Sequence, residues 1–171
     1  MTSALSAAPA QRPSSLFSLC MPACLRRPGR VLALALTVAA GLAGPAAAGD
    51  VVLAPGDTNN PYLFDVLEKQ PALKQTLGRL FTAGRVPPWV RGIATGGPFV
   101  GGPSRAVLKP PGGLMTYDAC KQHDCGDNQL RILATKDGKA AWALLSESGR
   151  MRFFGAPGPS EQAILNAAMA D

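Results

Sequence analysis

Residues 129–135 and 140–145 read QLRILAT and AAWALL, and Lys136-Asp137-Gly138-Lys139 stands between them. Two short apolar runs flanking Asp-Gly predict a β-hairpin, because both turn residues tolerate the positive φ that tight hairpin turns use. The pattern continues in both directions. Residues 146–149 (SESG) predict a second turn, leading into Met151-Arg152-Phe153-Phe154. On the other side, Ala106-Val107-Leu108 and residues 114–119 (LMTYDA) predict strands parted by Pro110-Pro111-Gly112-Gly113. Short turns between successive strands make an antiparallel meander, since parallel pairs need a long crossover.

Helical patterns lie outside the meander. Asn60 and Pro61 predict a helix N-cap and first helical position, because proline lacks the N–H that would be orphaned there. Leu63, Phe64 and Leu67 give that helix an apolar face. Pro71 predicts a restart, after which Leu73, Leu77, Leu80 and Phe81 recur at i, i+4, i+7 and i+8, the period of an amphipathic helix packed on a sheet. Ser160 predicts the cap of a closing helix that turns Ile164, Leu165 and Ala168 inward. Val51-Val52-Leu53 reads as strand-like. Val86-Pro87-Pro88-Trp89-Val90 is too proline-rich for a central strand, and residues 96–103 (GGPFVGGP) read as a loop. The fold class expected is α+β: helices first, an antiparallel meander, then one short helix.

The chain has 171 residues, a length that suits one domain, and a formal net charge of +6. That excess suggests a polyanionic partner until its position is examined. Arg26, Arg27 and Arg30 precede the apolar run 31–44 (VLALALTVAAGLAG), followed by Pro45, Ala46-Ala47-Ala48 and Gly49. Basic flank, apolar stretch and small-residue cleavage site form the pattern of a secretory signal, with the cut expected after Ala48. The run is shorter than the ~20 residues that span a bilayer. Met21 would open a signal of ordinary size, so the stretch before it reads as an over-extended gene start. Four of the 17 basic residues and none of the 11 acidic ones precede Gly49, so residues 49–171 carry 13 against 11, or +2. The domain expected to act is therefore 49–171, exported and free of the membrane. No basic stripe with interleaved aromatics remains, and nucleic acid is not an expected partner.

Catalysis finds little support. There is no Ser/His/Asp order, no glycine-rich phosphate loop with its Lys-Ser/Thr, and no paired-acid motif, and no cofactor is expected. The one unusual constellation is Cys120-Lys121-Gln122-His123-Asp124-Cys125, which holds the two cysteines outside the export segment and the only histidine of the chain. Cys20 and Cys24 lie on the discarded side. In an exported protein two cysteines default to a disulfide, here closing a small ring between two strands so that it projects from the sheet's end. A zinc site from Cys120, His123 and Cys125 lacks a fourth ligand. A redox dithiol lacks the two-residue spacing of the usual motif. A rigid partner-binding loop and an inert clip stay open on the residues alone.

The segment 120–126 closely resembles the signature loop of the Ivy family, the inhibitors of vertebrate lysozyme, in which the ring reads Cys-Lys-Pro-His-Asp-Cys. The leading helices, residues 86–90 (VPPWV) and Phe153-Phe154-Gly155 before a final helix are also similar to the family. The resemblance implies a periplasmic protein with helices on an antiparallel sheet, a Cys120–Cys125 disulfide, and a loop that plugs the cleft of C-type lysozyme. It implies that His123 reaches the catalytic carboxylates, with Lys121 at the cleft rim and Asp124 bracing His123 or the ring. The same plug would suit the cell's own lytic transglycosylases. Gln122 departs from the family's proline, which puts the preorganisation of the ring in question. C-type lysozymes are basic, so a domain of +2 gains no long-range attraction from its net charge.

Overall fold

The computed structural model describes residues 50–109 and 112–171. The export segment expected over 1–48, with Cys20 and Cys24, and the Pro110-Pro111 turn lie outside the described residues. Three helices come first: α1 (Leu63–Lys69), α2 (Pro71–Ala83) and α3 (Pro88–Ile93). Then follow β1 (Val100–Gly101), β2 (Arg105–Ala106), β3 (Leu114–Cys120), β4 (Asn128–Thr135), β5 (Ala141–Glu147) and β6 (Arg150–Phe154), and α4 (Pro159–Ala170) closes the chain. The strands form one antiparallel sheet of six, in the order β1-β3-β4-β5-β6 with β2 also on β3. The α+β meander is as the sequence predicts. Among the described residues no helix is long and apolar enough to cross a membrane.

The central strands are apolar on nearly every residue because both faces of the sheet are covered. On one face Leu130, Ile132 and Leu145 join Leu73, Leu77 and Phe81 of α2 and Val90 and Ile93 of α3 in the larger core. On the other, Leu114, Leu133 and Leu144 meet Ile164 and Leu165 of α4. Arg131 is the one charged residue within the β4 run 130–134, and it points to the α4 side. Its Nε–H donates to the Ala168 carbonyl at 2.7 Å, placing a cation at the C-terminal end of α4 where helix carbonyls are unpaired.

The Asp137-Gly138 turn does not place both of its central residues at positive φ. At Asp137-Gly138 only Gly138 is left-handed, with φ 69°, and the turn closes from Gly138 N–H to Thr135 C=O at 2.9 Å. Asp137 uses its carboxylate instead, accepting from Thr135 Oγ1 at 2.6 Å and Lys139 N–H at 3.1 Å. Those bonds, Thr135's foremost, hold the Asp137 carboxyl down at about 2. The pair with both residues at positive φ is Ser148-Gly149, 49° and 79°, a two-residue turn that matches the twist of β5 and β6.

Four local expectations are corrected. The first helix starts at Leu63, not Pro61, with Tyr62 as N-cap. Asn60 is drawn away, its Nδ2 donating to the Ser104 carbonyl at 2.9 Å, while Pro61 C=O accepts from Ser104 N–H at 3.1 Å. Residues 96–103 are not wholly loop, since Val100 and Gly101 pair with Cys120 and Ala119. Glycine permits that approach, because a Cβ on Gly101 would stand 2.9 Å from the Asp118 carbonyl oxygen. Gly158, not Ser160, is the N-cap of α4, with Pro159 at the first position. Val51-Val52-Leu53 contributes a single bridge, Leu53 to Val107, rather than a strand. The proline-rich 86–90 stretch is not a strand, as expected; its second proline opens α3.

Candidate functional site

The six residues 120–125 lie where β3 turns into β4. Seven residues, 121–127, make that connection. Cys120 ends β3, and its Sγ is bonded to that of Cys125, the two Cα atoms 5.0 Å apart. The thiols are thus consumed in a bridge that closes the ring at its root. Lys121 N–H donates to Asn128 C=O at 3.1 Å, which carries the strand ladder one step beyond Cys120.

Inside the ring the backbone folds back on itself. Asp124 N–H donates to Lys121 C=O at 3.0 Å, and Asn128 N–H to Asp124 C=O at 3.1 Å. His123, third residue of the first of these turns, has φ 64°. That is the left-handed region, which a non-glycine residue enters only where its surroundings hold it, although histidine tolerates it better than most. The β3–β4 connection is also fastened sideways just beyond the ring, since Ser148 N–H in the neighbouring hairpin donates to Asp127 C=O at 2.7 Å.

Asp124 braces the ring rather than His123. Its Oδ2 accepts from Lys121 Nζ and from Asn128 Nδ2, each at 2.8 Å. The Lys121 hydrogen bond is the main cause holding the Asp124 carboxyl below its ordinary range, helped by the lysine's charge and by Asn128. Lys121 is therefore tied into the ring, though its side chain remains 46% exposed. None of these side-chain bonds reaches His123, which is exposed with Gln122 at the tip. Lys121 and Asp124 spend their charges on each other, and the imidazole is left, with the Gln122 amide, as a group offered outward.

A family profile described as Inhibitor of vertebrate lysozyme (Ivy) matches residues 72–170, more than half of the chain. The chain belongs to the Ivy family. A search of curated proteins by sequence found no match. The matched span takes in α2 from its second residue, α3, the whole sheet, the ring and α4 as far as Ala170, so the Ivy ring Cys120–Cys125 sits centrally in it. Ivy membership gives the domain the general role of a lysozyme inhibitor.

The sequence identified all six ring residues but not the groups that hold them. Asn128 and Ser148 escaped notice because each acts from a strand or turn beyond the ring, Asn128 on Asp124 and Ser148 on Asp127 just after it. The one local hint was an Asn four residues after an Asp, a spacing at which a single α-turn brings the two side chains together.

Proposed function

We propose that this chain is an exported inhibitor of C-type lysozyme, with its ring inserted in the substrate cleft and His123 set between the two catalytic carboxyl groups. The observation that carries the reading is the exposed imidazole of His123, at φ 64° on a ring whose two charged side chains, Lys121 and Asp124, are paired with each other. Retaining enzymes of the lysozyme type hold their acid and their nucleophile or stabiliser about 5 Å apart. An imidazole between them can hydrogen-bond to both, and in protonated form those bonds are charge-assisted. It also fills space that the sugar ring requires. Because the bridge and the Asp124 bonds restrict the loop beforehand, little conformational freedom is lost on insertion.

Export is part of the reading. The pattern over residues 26–48 supports removal of the leader and release into the periplasm, where the Cys120–Cys125 bridge is stable. Inhibition is measured with the purified, oxidised protein and a C-type lysozyme clearing a peptidoglycan suspension. Stoichiometric loss of lysozyme activity is expected, with His123→Ala at least tenfold weaker. Equal potency of the two proteins would remove His123 from its assigned role. A lytic transglycosylase assayed alongside tests the other target of the same plug. Inhibition of that enzyme with none of lysozyme would replace the lysozyme reading.

A further inference from the structure

The strand register extends the root of the ring across the whole sheet. Cys120 pairs with Val100 on one side and Gln129 on the other, Gln129 pairs with Ser146, and Ser146 pairs with Met151. Directly opposed residues of antiparallel strands send their side chains to the same face, so these five form one row from β1 to β6. The face is that of α4, because Arg131 and Leu144, two residues away on β4 and β5, lie on it. The helix does not cover the row. Its Ile164 and Leu165 pack with Leu114, Leu133 and Leu144, all farther from the ring. Val100 and Met151, at the two ends, are 46% and 55% exposed, and Phe153, on the same face two residues past Met151, is 38% exposed. Between them Gln129 Nε2 and Ser146 Oγ donate no hydrogen bond among those described. The row is uncharged throughout.

The opposite face differs at this end. There Asn128 pairs with Glu147 and Glu147 with Arg150, while Arg152 donates to Glu147 at 2.9 Å. Arg150 is exposed and joins no ion pair among the described residues. A stable protein complex buries about 800 Å² of each partner, drawn from roughly 20–30 residues, which a ring of six cannot supply. The remainder must come from surface continuous with the ring. Interface centres are poor in charge and rich in methionine and aromatic residues. A basic partner meets the unpaired Arg150 on the α2 face and no charge along the row on the α4 face. We propose that this row, with Met151 as its apolar anchor and Phe153 beside it, is a second contact surface for lysozyme, lying against one lip of the cleft while the ring fills it. The inference rests on the lysozyme reading, and it supplies local complementarity where the net charge of +2 gives no attraction.

Two measurements on the oxidised protein test it. In the first, lysozyme binding kinetics are expected to show roughly tenfold weaker affinity for Met151→Lys, chiefly through faster dissociation. An edge strand accommodates that lysine, so the fold is kept. Leu108→Lys is the charge-matched control: Leu108 is 59% exposed and lies at the far end of the sheet, where Val107 N–H donates to Leu114 C=O. It is expected to change affinity less than about twofold, as is Arg150→Ala, one residue from Met151 but on the other face. Full affinity in Met151→Lys, an equal loss in Leu108→Lys, or an equal loss in Arg150→Ala overturns the proposal. In the second, excess hydrogen peroxide oxidises methionine to the sulfoxide, and the initial rate at each site is read by peptide mass. Saturating lysozyme is expected to slow oxidation of Met151 by roughly fivefold or more, leaving that of Met115, on β3 at the far end, unchanged. An unchanged rate at Met151 overturns the proposal. Binding that survives Met151→Lys removes this surface alone, whereas absence of lysozyme binding by the unaltered protein overturns the lysozyme reading and this surface with it.

Discussion

Gly138→Ala isolates the contact on which the hairpin and the helical layer depend. Two separate costs can be worked out. Gly138 has φ 69°, where an L-residue is penalised by about 1–2 kcal/mol. The added Cβ would also stand 2.7 Å from Leu73 N, 2.8 Å from Leu73 Cβ and 2.9 Å from Leu73 Cα. These are backbone and stem atoms in the first turn of α2, so no side-chain tip can swing clear. Overpacking of this kind costs typically about 1–3 kcal/mol. The expected total is about 2–5 kcal/mol. Gly149→Ala is the matched control: its φ is 79°, and nothing lies within 4 Å of the new Cβ. It should show only the conformational part, and the reduction of unfolded-chain freedom common to both substitutions cancels in the difference. Urea unfolding of the oxidised protein, followed by Trp fluorescence, reads both. The midpoint of Gly138→Ala should fall further, by an additional ~1–3 kcal/mol at unchanged slope. Equal destabilisation of the two variants would refute the close seating of this turn on Leu73.

Other substitutions test the ring and the turn chemistry. Among the described backbone hydrogen bonds Gln122 N–H donates none, and in the turn 121–124 only His123, the third residue, is left-handed. That pattern favours proline at the second position, so Gln122→Pro should raise stability by about 0.4–1 kcal/mol in urea unfolding and slow dissociation from lysozyme. A loss of stability would contradict the turn assignment. Replacing Cys120 and Cys125 together by Ser removes a short cross-link worth about 2 kcal/mol in the loop-entropy account, with weaker lysozyme binding even where the variant stays folded. Unchanged affinity in the folded variant would show that the bridge does not preorganise the ring. Asp137 is held from 3.8 down to about 2 in the folded protein, so its stabilising bonds are fully present above the ordinary value and vanish as pH falls through about 2. The melting temperatures of the unaltered protein and Asp137→Asn should therefore differ at pH 6 and converge as the pH falls from about 4 toward 2. A gap that persists unchanged at the acid end would exclude the carboxylate as its source.

The meander was legible because its signals are local. Residues 129–135 and 140–145 carry their apolar pattern and their turn within one short window, and the observed β4 and β5 differ from those limits only at their ends. The i, i+4, i+7 spacing of Leu73, Leu77 and Leu80 likewise describes a helix without reference to anything outside it. The misread positions share a different property. Asn60 has the chemistry of an N-cap, but Ser104, 44 residues away, takes its amide. Residues 100–101 look like loop from their glycines, and those glycines are what let β1 approach β3. Asp137-Gly138 has the composition of a turn with two left-handed residues, yet Thr135 and Lys139 engage the aspartate in another geometry.

The same division runs through the candidate site. By itself the sequence determined that a six-residue ring with the chain's only histidine stands between two strands, since cysteine spacing, residue identity and strand periodicity are all properties of neighbours along the chain. Only the tertiary structure decided that Asp124 braces Lys121 and Asn128 rather than His123, that Ser148 fastens the β3–β4 connection from the next hairpin, and that Asp118 Oδ1 is left without a donor when Arg131 Nε–H turns to the end of α4. A polar group's partner is chosen by distance and direction in space, and a strand ladder brings Asp118 beside Arg131 and Ala168 from points up to fifty residues apart.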